Sequence, residues 1–302
     1  MWFLFALLTA LSWGSADLFY KKGSNINDQY SHIKIVIMVG FVMGIHATGY
    51  ILYKGLSFNI MELIKYSPVS AMYILSMVIG YIGLRYIALS VASPIQNSSG
   101  VITSILLFIF FTHTLGVVEI VGIIVITYGV IRLAVLERKI EMQSLQSNTA
   151  ALDKKYQIGF MAIMFPILYA VIDGLGTFAD GIYLDEMKLI SEDNALIAYE
   201  YTFLMVGVIA FIYLRFIKKE YINVFKERTR GMAAILETIG QFFYVYAMSS
   251  NAIIAAPLIA TYSIFSVILS RLFLKEKLTK QQYVVIAVVL IGIAILGVAD
   301  EL

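Results

Sequence analysis

Ten stretches of roughly 20 apolar residues, separated by short polar connections, leave this chain few ways to fold. Read for hydropathy over windows of about 19 residues, they lie near 2–20, 32–53, 67–88, 92–111, 115–135, 157–179, 194–216, 230–249, 251–272 and 281–299. Each is long enough to cross a bilayer as a helix, the form that pairs its own backbone N–H and C=O groups where no water can. Composition agrees: 60% of the residues are hydrophobic and 14% charged, against about 25% charged in an ordinary globular domain. Ten crossings consume about 200 residues of the 302, which leaves no room for a separate soluble domain. The expected fold class is an all-α membrane protein of ten transmembrane helices, with the lipid bilayer as its first partner.

The same numbers exclude several function classes. A formal net charge of +2, with Lys and Arg scattered through the connections, rules out a nucleic-acid partner. The absence of cysteine removes disulfides, thiolate catalysis and sulfur-ligated metals. His32, His46 and His113 lie far apart without metal-ligand spacing, so neither a metal nor another cofactor is expected. The first apolar stretch begins at Trp2 with no positive n-region and no A-x-A cleavage pattern, and reads as a retained helix. Two polar connections are longer than the rest, 137–156 and 217–229. In the second, Ile217, Tyr221 and Phe225 recur four apart among cations, a spacing that suits a helix lying in the headgroup layer as well as it suits a solvated loop.

Self-similarity decides the architecture. A shift of 160 aligns Ala10 with Ala170, Gly14 with Gly174, Met72 with Met232, Gly80 with Gly240, Tyr86 with Tyr246, Ser90 with Ser250 and Ala92 with Ala252. After a three-residue insertion the shift becomes 163 and pairs Leu115 with Leu278 and Gly129 with Gly292. One register held over five helices divides the chain into a first repeat at 1–136, a polar connection at 137–156 and a second repeat at 157–302. Because five is odd, the two repeats must enter the bilayer with opposite orientations. Inverted repeats are the architecture of many secondary transporters, with the site near the midplane between the halves.

The opening helix with Ser12-Trp13-Gly14, the stretch Arg85-Tyr86-Ile87-Ala88-Leu89-Ser90-Val91-Ala92-Ser93-Pro94 and the terminal block Leu274-Lys275-Glu276-Lys277-Leu278-Thr279 followed by Gly292 resemble the EamA-type branch of the drug/metabolite transporter superfamily. The resemblance covers nearly the whole chain and implies a ten-helix transporter. It departs from the family pattern at two places. Thr112-His113-Thr114 stands in the first half where the second has Lys275-Glu276-Lys277, and the sixth span carries Asp173-Gly174 where many relatives repeat the aromatic-glycine pair of the first.

Charge sets an expected orientation. The connections after odd-numbered spans hold 19 of the 22 Lys and Arg, and the opposite side holds only Lys54, Lys65 and Lys188. By the positive-inside rule the odd connections are cytoplasmic and both termini lie outside, in a multi-pass protein of the plasma membrane. The resemblance implies the reverse, termini inside; the charge count is preferred because no translocated domain is present to blur it.

Acids at bilayer depth cost about 2.5–3.5 kcal/mol each and ask for a reason. The candidates are Asp17, Asp173, Glu200 and Glu237, with Asp173 and Glu237 the deepest. Helical spacing aligns Glu237, Gln241 and Tyr244 on one face, Asp173, Thr177 and Asp180 on another, and Trp13, Asp17 and Tyr20 on a third; the fourth span offers Ser93, Asn97 and Ser104. The resemblance places these spans around a central cavity and also points to Trp13. We expect Trp13, Asn97, Asp173, Glu237, Gln241 and Tyr244 to meet the substrate, and Asp17, Asp173, Glu200 and Glu237 to be the sites for a proton or cation. Acids without basic neighbours, among aromatic walls, favour an ammonium group, so the expected substrate is a small amine-bearing or cationic metabolite, with protons as the coupling ion. The competing role for each acid is packing, hydrogen-bonded to a neighbouring Tyr or Ser.

No enzyme is expected. Asp173-Gly174-Leu175-Gly176 reverses the Gly-Leu-Gly-Asp order of intramembrane aspartyl proteases and lacks a Tyr-Asp partner, and no GxxxxGK[ST] or GxGxxG occurs. The alternative reading is a lipid or lipid-linked sugar translocase of the same fold, which needs cations for phosphate. The oligomeric expectation is a monomer or a homodimer.

Overall fold

The computed structural model describes residues 1–25, 27–113, 115–147, 164–276 and 278–301. Eleven α-helices account for most of them: α1 (Trp2–Gly23), α2 (Ser31–Lys54), α3 (Ile60–Gly83), α4 (Leu89–Gln96), α5 (Ser99–Phe110), α6 (Val117–Ser147), α7 (Met164–Gly181), α8 (Glu192–Ile212), α9 (Arg228–Ile259), α10 (Tyr262–Leu269) and α11 (Lys280–Glu301). Among the described residues, nine helical segments are long and apolar enough to cross a membrane. One of them, Arg228–Leu274, is 47 residues long, about 70 Å at 1.5 Å per residue and more than twice the hydrocarbon thickness. Within it Asn251 leaves helical geometry (φ −169°, ψ 82°), between the two stretches that hydropathy separates at 249 and 251.

Other boundaries move from their expected places. The third span begins at Ile60 rather than 67, because Asn59 caps it by accepting from the Met61 N–H and Pro68 is carried inside the helix. The carbonyl of Ile64, which Pro68 cannot reach, accepts instead from the Ser67 hydroxyl at 2.7 Å. The fourth span is split into α4 and α5 around Asn97 and Ser98. The connection expected at 137–156 starts as helix, since Glu, Lys and Gln are good helix formers and α6 runs on to Ser147; its remainder, like the expected start of the sixth span at 157–163, lies outside the described residues. The stretch at 217–229 is not a headgroup helix. A π turn ends at Ile217, coil follows, and a single 3-10 turn covers Val224–Lys226. Ile222 anchors it against Ile37 and Leu214, while Phe225 is 92% exposed.

Helices pack in a regular order: α1 along α9, α2 along α8, α6 along α11 and α3 along α7. Small residues set the closest crossings. A Cβ on Gly40 would stand 2.6 Å from the Phe203 carbonyl and 2.9 Å from Gly207 Cα, so α2 and α8 touch backbone to backbone, an approach that glycine alone permits.

The two ends of the bundle differ in charge. At one, Lys21 Nζ donates to the carbonyls of Leu84 and Ile87 at 2.7 and 2.5 Å, and Arg230 reaches Gly23 and Asp28. There too Glu276 accepts from the Leu89 and Ser90 N–H groups at the start of α4. These are the cation-bearing odd connections. At the other end Asp193 accepts from Tyr50 and Tyr246 at 2.6 and 2.8 Å, and Asp185 accepts from Ala252 N–H at 2.7 Å. Burial pushes the Asp28 carboxyl up, but its bonds to Lys34, the Tyr30 N–H and Arg230 outweigh this and hold it below the ordinary value of 3.8. The stability Asp28 contributes is therefore present above that value and lost as pH falls through the lowered one.

The crossing of α2 and α8 makes a direct prediction. Gly40→Ala forces the helices apart and should cost about 1–3 kcal/mol. Gly49→Ala on the same helix has nothing within 4 Å and should be neutral or slightly stabilising. Melting midpoints of the two variants in one detergent check this, and equal midpoints would contradict it.

Candidate functional site

Inside the bundle, α1, α3, α7 and α9 surround a cavity that the α4–α5 and α9–α10 breaks also reach. Its wall includes Trp13, Asp17, Asn97, Asp173, Glu237, Gln241 and Tyr244. Every expected substrate contact therefore lies on one cavity, joined by Asp17 from the proton or cation set. Glu200 is apart from it. That carboxylate is fully buried between α8 and α2, where both its oxygens lie 2.8 Å from His46 Nδ1.

The three cavity acids are held unequally. Asp17 Oδ2 accepts from Ser93 and Ser266, both at 2.7 Å, one serine from each side of the broken helices. Asp173 Oδ1 accepts from Ser76 at 3.2 Å. Glu237 is held most loosely, by the Tyr20 hydroxyl at 3.4 Å, while the Glu237 backbone carbonyl accepts from Trp13 Nε1 at 3.2 Å. One turn on, Gln241 is 3% exposed and its Nε2 has no partner among the described residues. A buried donor left unpaired is costly, so this amide is available to whatever fills the cavity.

Aromatic rings complete the wall. Trp13 lies against Tyr244 with centroids 5.1 Å apart and meets Tyr262 edge-on at 5.8 Å; Tyr20 packs on Tyr81 at 4.7 Å. Tyr73 bonds Thr177 at 3.0 Å and also pairs with the Tyr244 hydroxyl. No Lys, Arg or His lines the cavity among the described residues. The arrangement presents carboxylates and ring faces, the chemistry that receives a cation.

Asp180 shared a helix face with Asp173 but was not expected to act; it is fully buried and takes the Tyr66 hydroxyl. Tyr73, Tyr81, Tyr199 and Tyr262 also line the cavity. Twenty tyrosines and no depth information left nothing in the sequence to pick these four out. Asn97 sits at the α4–α5 break, its Nδ2 donating to the Ser93 carbonyl at 2.8 Å.

A helical bundle with several apolar crossings and an internal polar cavity defines a multi-pass membrane protein of transporter type. The chain belongs to the EamA-like transporter family, which matches residues 1–135 and 160–298, and is thus a membrane transporter of the drug/metabolite transporter superfamily. An uncharacterized protein of Methanocaldococcus jannaschii is 32% identical over 145 residues, 46% of this chain and 98% of that protein. A solved crystal structure at 12% identity shares the fold, with a TM-score of 0.65 over 99% of this chain and 96% of that one.

The His46–Glu200 pair should be structural. His46→Leu strands a buried carboxylate and should cost about 3 kcal/mol; adding Glu200→Gln should recover most of that loss. Detergent melts of the single and double variants check it, and an unchanged midpoint in His46→Leu would overturn it.

Proposed function

We propose that this chain is built as ten crossings in two inverted five-helix repeats, 1–136 and 157–302, and moves a small amine-bearing or cationic metabolite across the plasma membrane by alternating access, coupled to protons. The contact pattern supports the repeat. Exchanging the halves turns the α1–α9 packing into α7–α3, α5–α7 into α10–α1 and α2–α9 into α8–α3, and all of these pairs touch. The match extends to atoms. A Cβ on Gly14 would meet Phe265 Cβ at 2.7 Å and the Tyr262 carbonyl at 2.9 Å, and one on Gly174 would meet Ile102 Cβ at 3.0 Å and the Ser99 carbonyl at 3.1 Å. The shifts of 160 and 163 carry the second set onto the first. The archaeal relative fits this reading, since nearly its whole length matches 145 residues of this chain, about the length of one repeat.

The observation that carries the substrate class is the cavity wall: Asp17, Asp173 and Glu237 among aromatic rings, with no cation lining it among the described residues. A translocase of phosphate-bearing lipids would need positive charge there. The test is a thermal-shift screen of the purified protein against amines, quaternary ammonium compounds, amino acids, nucleosides and sugars, because a ligand raises the melting temperature by mass action. Amine-bearing hits are expected, and a screen yielding only anionic or phosphorylated ligands would refute the charge argument.

Glu237→Gln separates two roles. If Glu237 meets the substrate cation, the amide weakens affinity at every pH. If it carries the proton, binding persists while transport loses its pH dependence and accumulation against a gradient stops. A variant that binds and transports with unchanged pH dependence would remove Glu237 from the site.

Orientation is tested separately. With both termini outside, cysteines introduced near residues 2 and 300 should react with an impermeant thiol reagent on intact cells, and one near 222 should not. The opposite pattern would reverse the orientation, and the absence of native cysteine keeps the background clean.

A further inference from the structure

The outer surface between α6 and α11 holds a second site, remote from the central cavity. Arg132 and Lys280 line one pocket there, with Tyr128, Leu136, Val284 and Val288. Both cations are exposed, and neither has an ion pair or hydrogen bond to an acid among the described residues. Among the described residues no acid lines the pocket.

The register of the two helices fixes how deep the charges lie. Gly129 of α6 sits against Val289 and Gly292 of α11 against Ile126, so paired positions sum to the same value and Arg132 lies level with residue 286. Lys280 is six residues further toward the cation-bearing end, about 9 Å out. Arg132 lies about one turn inside the end of its span, from where its long exposed side chain reaches toward the headgroup layer, with Lys280 above it at the helix start. Below Arg132 the wall is apolar: Val288 is level with residue 130, and Tyr128 lies four residues, about 6 Å, deeper than Arg132. At Tyr128 the surface continues into an apolar groove between α5 and α6 lined by Ile105, Phe108, Ile120 and Ile124.

We infer that this pocket seats one anionic phospholipid, its phosphate between Lys280 and Arg132 and an acyl chain along α6 toward Tyr128. The charge order selects the occupant: Lys280 at the helix start and Arg132 about 9 Å deeper, followed by Val288, Tyr128 and the apolar groove beyond, reproduce the polarity of a lipid, head to tail. A free anion would use only the upper half, and a second copy meeting this face across a two-fold axis would set Arg132 and Lys280 against their like. The proposal stands independently of the transported substrate.

Native mass spectrometry and melting curves of the full-length protein in detergent test it, with phosphatidylglycerol, phosphatidylcholine and inorganic phosphate as probes. Phosphatidylglycerol should bind and raise the melting temperature well beyond phosphatidylcholine. Arg132→Gln with Lys280→Gln should weaken phosphatidylglycerol binding roughly 25-fold, the product of two surface cations, and bring it near phosphatidylcholine. Arg132→Lys should keep most of the preference, and Val288→Trp, which fills the chain's path but leaves the charges, should weaken phosphatidylglycerol. These two variants keep the test open should the double substitution fail to fold. Equal binding of the two lipids, or a preference unchanged in the double variant, would overturn the proposal. Full stabilisation by inorganic phosphate would reduce the pocket to an anion site, and a dimer abolished by the same substitutions would assign it to a second copy; either result also overturns it.

Discussion

In hydrocarbon a backbone carbonyl that loses its helical partner has no water to turn to, and the cost of several kcal/mol restricts where this chain can interrupt its helices. The interruptions obey that restriction. Pro68 frees the Ile64 carbonyl, which the neighbouring Ser67 hydroxyl takes at 2.7 Å. Pro257 frees that of Ile253, and the hydroxyl of Ser104 on α5 reaches it at 3.3 Å. Where α9 breaks at Asn251, the Ala252 N–H beyond the break is taken by Asp185. The breaks that border the cavity are thus satisfied in two ways, across the bundle at α9 and locally at the α4–α5 break, where Ser98 donates to the Ile95 carbonyl and Asn97 to that of Ser93. Other serines on the broken helices, Ser93 of α4 and Ser266 of α10, hold Asp17 instead.

Close helix approach is the second condition. Gly14 and Gly174 bring α1 and α7 onto the broken helices, and Gly40 with Gly207 brings α2 onto α8. On the proposed two-repeat reading, Gly14 and Gly174 are equivalent positions while the chemistry beside them is not. At equivalent positions the first half places Trp13, Asp17 and Tyr20 and the second Asp173, Thr177 and Asp180. A symmetric scaffold presents an asymmetric wall, with an aromatic ring facing one half of a ligand and a carboxylate the other.

Helices and their polar faces were legible because periodicity and hydropathy act locally: Glu237, Gln241 and Tyr244 share a face by spacing alone, and all three border the cavity. Partners across the bundle were not. Spacing on α8 says nothing of His46 on α2, so Glu200 read as a candidate like the rest although it is paired outside the cavity. Asp17, placed near a span end by sequence, is deep in the wall because two serines from separate helices converge on it. The stretch at 217–229 has helical spacing of its large residues, yet Ile222 rather than that series is buried, and packing of one side chain onto Ile37 and Leu214 overrides the local pattern. The seven-residue difference at the start of α3 has the same lesson in reverse, since a local cap at Asn59 outweighs the break that Pro68 suggests.

What distinguishes the three cavity acids is how far the protein itself has satisfied them. A carboxylate that already accepts two short hydroxyl bonds, as Asp17 does, loses those bonds if it turns to a ligand, and much of the gain from a new cation is offset by that loss. Glu237 gives up only a 3.4 Å contact from Tyr20, while the buried Nε2 of Gln241 one turn away, unpartnered among the described residues, is a donor that suits an acceptor atom of a ligand and not its cationic centre. On the proposed reading, Glu237 is the acid with the least to lose on turning to an incoming cation. The ring of Trp13 against Tyr244 stands beside this pair, where a face-on cation gains about 0.5–2 kcal/mol more. On that reading the group the fold leaves least satisfied sets affinity, and Asp17, bonded to Ser93 of α4 and Ser266 of α10, holds the broken helices that shape the space around it.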